Sequence, residues 1–161
     1  MLNSLSGRFL ILTIIFVMLA EVFIFVPSVA RFRQDYLLER LERAQIASLA
    51  LEADDMISPA LESELLLNAD VFNVVLLRDT VRQLALASPI PAPIDYTYDM
   101  RDPSSMTLIR DALMTLLDTE DRIIRVLGNP VQSGGLMIEV TMAQRPLRSA
   151  MVDYGLNILL L

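Results

Sequence analysis

The chain opens with one long apolar segment. Residues 9–26 read FLILTIIFVMLAEVFIFV, and only Thr13 and Glu21 interrupt the run. At 1.5 Å per residue a helix of this length spans roughly 27 Å, close to the thickness of the hydrocarbon core of a bilayer. We therefore predict a transmembrane helix over residues 9–26. A short tail precedes it and a much longer domain follows, which favours residues 1–8 as a cytoplasmic tail.

A signal peptide is the alternative interpretation of this segment. Ser28-Val29-Ala30 has the small-x-small pattern of a cleavage site. Cleavage after Ala30 would give a mature N-terminus at Arg31 and a secreted small-ligand-binding protein. The apolar region of a signal peptide is only about 7–15 residues long, however. The length of this run therefore favours a retained anchor.

A long helix is predicted from Ser28 to about Ala53, after Pro27. Its apolar positions recur at spacings of three and four, which makes one narrow apolar seam. The seam consists of Leu37, Leu41, Ala44, Ser48 and Leu51. Two roles stay open for it, namely covering a sheet of the same domain or pairing with a second copy in a homodimer.

The remaining pattern predicts an α+β domain over residues 27–153. Ser58-Pro59 begins a short helix that runs to about Ala69, because serine is a good N-cap and proline suits the first helical position. Two apolar runs then form a predicted hairpin, and alternation of apolar and polar positions marks a half-buried strand near the end. The predicted strands are residues 71–77, 81–87, 123–127 and 136–142, with a possible edge strand around 94–98.

Two further helices complete the predicted domain. One follows Asp102-Pro103, a second cap-and-proline signal, and the other is opened by Pro146. That last helix becomes wholly apolar at its end, Ile158 to Leu161. Residues 154–161 are therefore expected to begin a second transmembrane helix in which the chain is cut.

Composition excludes most familiar active sites. The 161 residues contain no Cys, no His and no Lys, and all 13 basic residues are Arg. A thiol nucleophile, an imidazole base, a phosphoacceptor histidine and a P-loop lysine are thus ruled out within this chain. The net charge of −7 argues against nucleic acid as a partner. The carboxylate clusters Asp54-Asp55 and Asp118/Glu120/Asp121 lack the spacing of a calcium loop, so no metal, no cofactor and no catalytic residue is predicted.

The most suggestive polar stretch lies in the proline-rich loop, Ser88 to Pro103. Tyr96, Tyr98 and Arg101 stand close together there. Arginine can hold a carboxylate through two parallel hydrogen bonds, and tyrosines commonly wall a small-molecule pocket. These three residues are the predicted binding site for a small anionic ligand. Arg78 and Arg82, beside the hairpin turn, are expected to be solvated.

Both ends of the chain carry motifs that resemble the sensor region of alphaproteobacterial transmembrane histidine kinases. The first end reads SLSGRFLILT, then EVFIFVPSVARFR, then L-x-x-R-L-x-x-A-x-x-A from Leu37 to Ala47. The second end reads MIEVTMAQRPLRSAMVDYG from Met137 to Gly155. The similarity extends loosely over the whole chain.

The resemblance implies a two-component signalling protein with its sensor domain in the periplasm, anchored in the bacterial inner membrane. It implies a PAS-like (PDC) fold, in which a long N-terminal helix packs on an antiparallel sheet between transmembrane helices. It also implies a homodimer, followed by a HAMP linker, a phosphoacceptor domain and an ATPase domain. Those domains are absent here, so kinase activity and contact with a response regulator would belong to the missing part.

Overall fold

A computed structural model describes residues 5–53, 58–78, 81–130 and 135–160. The elements in chain order are α1 Leu5–Ala53, α2 Pro59–Ala69, β1 Asn73–Arg78, β2 Val81–Ala87, β3 Tyr96–Asp99, α3 Ser105–Leu117, β4 Ile123–Gly128, β5 Met137–Ala143 and α4 Gln144–Leu159. Predictions on Asp54-Asp55 and on residues 1–4, 79–80, 131–134 and 161 lie outside the described residues. The side chains of Leu51, Arg78 and Arg82 are also outside them.

Helix α1 runs without a break through Pro27. The sequence pattern predicts a membrane helix that ends at Val26 and a second helix from Ser28, and this division is wrong. Proline removes the hydrogen bond that its own amide would donate, and its ring crowds the carbonyl four residues earlier, so proline disfavours a helix interior without forbidding it. The hydroxyl of Ser28 donates to the carbonyl of Ile24 at 2.7 Å, so the next turn keeps additional support. The apolar segment and the domain therefore share a single helix.

The two parts of α1 differ sharply in packing. The most apolar 18-residue window of the helix is 0% buried, and residues 9–19 are all exposed. By length and composition this part could cross a membrane, and a signal sequence would pass the same test. From Val29 onward, one face of the helix enters the hydrophobic core.

The predicted apolar seam faces the chain's own domain. Leu37, Leu41, Ala44 and Ser48 have relative exposures between 0 and 4%. They pack in the core formed with the other helices and with one face of the sheet. Of the two roles left open for the seam, the structure shows these four residues buried within the chain's own domain. The homodimer stays a prediction.

The sheet has five strands in the order β2-β1-β5-β4-β3. The predicted hairpin is confirmed as the antiparallel pair β1–β2, and β5 pairs antiparallel with both β1 and β4. The expectation of a wholly antiparallel sheet is wrong at one edge, where β3 runs parallel to β4. The reason is the helix between them: α3 returns the chain to the end at which β3 began, as parallel strands require.

Helix α3 begins two positions later than the sequence predicts. Asp102-Pro103 suggests a cap at Asp102, whereas Ser104 occupies the N-cap position and its hydroxyl accepts from the amide of Thr107 at 3.2 Å. The edge strand is also displaced, from residues 94–98 to Tyr96–Asp99. Arg101 lies in the short connection between β3 and α3, as it does in the predicted arrangement.

Strand β5 is buried on both faces, where the alternating pattern predicts one buried face. Glu139 and Thr141 occupy its polar positions, yet each is no more than 5% exposed. The central place of β5 between β1 and β4 explains this, since neighbouring side chains cover it. The carboxylate of Glu139 forms an ion pair with Arg125 of β4 at 2.9 Å.

Helix α4 begins at Gln144 and packs along α1 in the opposite direction. The rings of Phe32 and Tyr154 stack with centroids 4.4 Å apart. Further on, a Cβ atom at Gly155 would lie 3.2 Å from the ring of Phe25, so glycine permits a close approach of the two helices. The C-terminal end of α4 therefore lies beside residues 25–29 of α1, where the apolar segment meets the domain.

Candidate functional site

An open cleft of about 810 Å³ lies between β3 and α3, and we call it the β3–α3 cleft. All three residues of the predicted ligand site, Tyr96, Tyr98 and Arg101, line this cleft. The structure thus brings together the side chains that the sequence singles out. Contact of these residues with a ligand stays a prediction.

The two tyrosines stand on the same face of β3, because residues two apart in a strand point the same way. Their ring centroids are 6.3 Å apart. Tyr96 is 36% exposed, whereas Tyr98 is half-buried and packs against the core. Burial raises the pKa of the Tyr98 phenol, with a partly opposing effect of nearby Arg33. The phenol is therefore a neutral hydrogen-bonding group at physiological pH.

Arg101 already has a carboxylate partner. Its Nε and Nη2 donate to the two carboxylate oxygens of Asp99 at 2.9 and 2.5 Å. These side-chain hydrogen bonds lower the pKa of Asp99 and raise the pKa of Arg101. An incoming carboxylate would have to displace Asp99 in order to bind Arg101. This competition weakens the case for Arg101 as the anion-binding residue.

A second arginine–aspartate pair occupies the α3 side of the cleft. Nε and Nη2 of Arg110 donate to Oδ1 of Asp111 at 3.0 and 2.8 Å. The Arg110 side chain is 67% exposed, whereas that of Asp111 is 10% exposed. With Asp99, Asp102 and Arg101, the described lining holds three aspartates and two arginines. The cleft is thus slightly acidic, and both of its arginines are paired.

A buried arginine lies behind the cleft. Arg33 of α1 is 0% exposed, and its guanidinium carbon lies 4.2 Å from the ring centroid of Tyr98. Nε donates to the hydroxyl of Thr115 on α3 at 3.0 Å. Nη1 and Nη2 are buried and make no hydrogen bond of good geometry with a described residue, although the Tyr98 hydroxyl lies close enough for a side-chain hydrogen bond to raise the pKa of Arg33. Arg33 therefore connects α1 to both walls of the cleft while it keeps unused donors.

Burial makes this cation energetically unfavourable. Desolvation lowers the pKa of Arg33, and electrostatic attraction to Tyr98 and Asp111 offsets part of that effect. Arginine stays charged at neutral pH nonetheless. A buried donor without an acceptor costs about 1–3 kcal/mol, and more when the group is charged. An anionic acceptor that reached Arg33 would recover this free energy.

The sequence analysis did not single out Arg33 as a site residue. A local signal was present, because Val29, Arg33 and Leu37 follow one another at intervals of four. Arg33 therefore falls on the buried stripe of its helix. A charge at such a position indicates a specific partner across the interface.

The acidic cluster before β4 takes part in ion pairs. Arg122 pairs with Asp118 at 3.1 Å and with Glu120 at 2.8 Å. Asp121 pairs with Arg145 of α4. Across the described part of the chain, no group of three or more acidic, histidine or cysteine side chains converges on a point that could hold a metal ion.

Comparison of the chain with protein-family models, with characterised proteins and with solved structures finds no match.

Proposed function

We propose that this chain is the membrane-anchored sensory input module of a two-component sensor histidine kinase. In this proposal the domain lies in the periplasm and senses a stimulus for output domains on the other side of the membrane. The observation that carries the proposal is the continuity of α1. Within this one helix, residues 9–19 are exposed and almost wholly apolar, whereas one face from Val29 to Ser48 is buried in the core. Any rearrangement of the domain's core can thus act directly on the membrane segment.

The position of α4 supports a pair of signalling helices. The stacking of Phe32 on Tyr154 and the approach of Gly155 to Phe25 place α4 alongside α1 at the membrane-proximal end. Leu156, Leu159 and Leu160 at this end of α4 are exposed. A second membrane crossing that starts here would lie next to the first. Two adjacent helices that leave one domain can shift relative to each other when the domain changes state.

The mechanism is a population shift between two positions of these helices. A ligand moves such an equilibrium only as far as its affinities for the two states differ. The β3–α3 cleft is placed to couple a ligand to α1, because Tyr98 and α3 form its walls and both contact Arg33 of α1. A ligand held in the cleft therefore acts on a side chain of the membrane-linked helix.

Assignment of the domain to the PAS-like (PDC) fold is part of the same proposal. The long N-terminal helix over a five-stranded sheet agrees with a PAS-like (PDC) sensor domain. The parallel pair β3–β4 departs from the antiparallel sheet that the resemblance implies.

The buried environment of residues 29 and 30 favours an anchored protein over a secreted one. Val29 and Ala30 are 2% and 4% exposed and belong to the hydrophobic core. Cleavage after Ala30 would remove both from the core and would also remove Phe25 from its contact with Gly155. A retained apolar segment keeps these contacts.

Reporter fusions test the proposed topology. Alkaline phosphatase fused after Asp121, which is exposed in the connection between α3 and β4, is expected to be active, because this enzyme requires the periplasm. A cytoplasmic reporter such as β-galactosidase at the same site serves as the matched control and should be inactive. An active cytoplasmic reporter would show that the proposed orientation is wrong.

A chimera tests the sensory role itself. The chain is joined at Leu161 to the HAMP and kinase domains of a characterised sensor kinase, and autophosphorylation is measured in membranes. Gly155→Leu forces a side chain against the Phe25 ring and is expected to change autophosphorylation about fivefold or more, the lower end of typical coupling energies.

Asn157→Leu is the matched control, since residue 157 is exposed on the same helix. This variant should leave autophosphorylation close to that of the parent chimera. Equal phosphorylation in the parent and both variants would contradict signalling through the α1–α4 contact.

A further inference from the structure

A smaller pocket of about 320 Å³ adjoins the β3–α3 cleft and shares the side chains of Tyr96 and Tyr98 with it. We call it the tyrosine pocket. Besides the two phenols, its described polar lining consists of Asp118, which caps the end of α3, Arg122, which precedes β4, and Gln144, the first residue of α4. The pocket therefore lies where β3, the end of α3 and the start of α4 meet.

Both tyrosine rings already lie close to guanidinium groups. The guanidinium carbon of Arg33 is 4.2 Å from the ring centroid of Tyr98, and that of Arg122 is 5.8 Å from the ring centroid of Tyr96. The face of an aromatic ring attracts cations within about 6 Å. Tyr96 is 36% exposed, so part of its ring is open to a ligand. Arg33 is not among the described residues that line the pocket, so it offers no binding site for an anion there.

The charges beside the rings are net negative. Arg122 pairs with three carboxylates, those of Asp118 at 3.1 Å, Glu120 at 2.8 Å and Asp95 at 3.5 Å. Hydrogen bonds from the backbone amide of Glu120 and from Arg122 lower the pKa of the Asp118 carboxyl, so this group is ionised at neutral pH. Three carboxylates against one guanidinium favour a cationic ligand over an anionic one.

A buried acceptor of the pocket has no donor among the described residues. Gln144 is 2% exposed, and its Oε1 accepts no hydrogen bond from the part of the chain that the structure describes. Its side-chain amide hydrogen-bonds to Asp118, so the NH₂ group faces the carboxylate and Oε1 points away from it. A buried acceptor without a donor is unfavourable. An N–H group of a ligand would satisfy Oε1, whereas a carboxylate would bring a second acceptor against it.

We propose that the tyrosine pocket binds a small primary ammonium ion, whose charge lies between the Tyr96 ring and Asp118 and whose N–H donates to Oε1 of Gln144. An aromatic face, a carboxylate and an amide oxygen all favour a cation that carries hydrogen-bond donors. The ligand is opposite in charge to the anion that the sequence predicts. That prediction depended on Arg101, which Asp99 already holds through two hydrogen bonds.

The pocket also connects to the second of the two signalling helices. Gln144 begins α4, and the N-cap residue Ala143 provides no side-chain hydrogen bond to this helix. At its other end α4 approaches Phe25 of α1 through Gly155. Within the proposed sensory function, on which this role of the ligand rests, binding at Gln144 acts on the start of α4 and through it on the membrane-proximal contact.

Thermal unfolding of the full chain in micelles of an uncharged detergent tests the ligand class. The probe is n-butylammonium chloride, with sodium chloride at equal ionic strength as the reference. At ten times its Kd the probe is expected to raise Tm by about 3–6 °C above the reference, because it binds the folded state alone. Sodium butyrate has a similar apolar chain and the opposite charge, and it should act like sodium chloride. Tetramethylammonium has no N–H, and it should bind about tenfold more weakly or worse.

Three results with these salts would overturn the proposal. If n-butylammonium and sodium chloride act alike, the pocket takes no ammonium ion and water alone satisfies Gln144. If butyrate raises Tm as much as n-butylammonium does, the apolar chain rather than the charge is bound. If tetramethylammonium binds as tightly as n-butylammonium, no hydrogen bond to Oε1 is used.

Variants of the full chain locate the site. Gln144→Met keeps the length of the side chain and removes the acceptor, so the Kd for n-butylammonium should rise about tenfold or more. Tyr96→Leu removes the partly exposed ring and should also weaken binding, which keeps the test decisive if Gln144→Met does not fold. Tyr36→Leu is the matched control. Tyr36 likewise has a guanidinium 4.7 Å from its ring centroid, but it lines neither the cleft nor the tyrosine pocket.

Tyr36→Leu should bind n-butylammonium as wild type does. Unchanged binding in Tyr96→Leu would overturn the placement of the ligand, as would equal weakening in Tyr96→Leu and Tyr36→Leu. These measurements concern ligand binding alone, so they can fail while the reporter fusions and the chimera still support the sensory role.

Discussion

Leu37→Ala is expected to lower the free energy of unfolding by about 2–5 kcal/mol, the range for a leucine truncated in a packed core. Leu37 is 0% exposed and lies where α1 crosses the sheet. Its removal leaves a cavity between the two layers, which the rigid surroundings can fill only in part. Denaturant unfolding of the full chain in micelles, followed by tyrosine fluorescence, measures the loss.

Leu38→Ala is the matched control one residue further on. Leu38 is 40% exposed, so truncation should change the free energy of unfolding by no more than about 0.5 kcal/mol. Equal losses for the two variants would contradict the orientation of α1, since the helix would then bury both leucines or neither.

The double variant Leu12→Arg with Phe16→Arg is expected to abolish membrane anchoring. An arginine at the centre of a membrane helix costs about 2.5–3.5 kcal/mol for insertion, and the cost falls toward the helix ends. Phe16 lies close to the midpoint of residues 9–26 and Leu12 one turn before it, so the two arginines together cost more than either alone. Both side chains are exposed, Phe16 at 73%, so they would contact the lipid directly in a membrane. Fractionation followed by alkaline extraction of membranes measures how much chain is retained.

A control with the same chemistry is available on α3. Met106→Arg with Leu117→Arg also replaces two exposed apolar residues, 75% and 81% exposed, and should leave the chain in the membrane fraction. If Leu12→Arg with Phe16→Arg is retained as fully as wild type, residues 9–26 do not anchor the protein. If both double variants leave the membrane, destabilised folding rather than anchoring explains the loss.

Local patterns in the sequence predicted α2, α3, α4 and most strands within a few residues, whereas they wrongly divided α1 at Pro27. The helix at residues 59–69 follows from Ser58 and Pro59, whose effect on the first turn depends only on neighbouring backbone groups. The β1–β2 hairpin follows likewise from two apolar runs with a short turn between them. The grouping of Tyr96, Tyr98 and Arg101 on one cleft could also be predicted, because all three fall within six consecutive positions.

Tertiary structure alone decided the pairing of charges and the direction of the edge strand. Arg33 meets Thr115 across 82 positions of sequence, and no local pattern records that contact. The parallel pairing of β3 with β4 depends on where α3 returns the chain, whereas apolar alternation is the same in parallel and antiparallel edge strands. The partner of the apolar seam on α1 was likewise decided by tertiary structure, since an apolar stripe can pack equally well on a sheet or on a second helix. Periodicity shows that a face will be buried, and only the packing of distant elements selects what buries it.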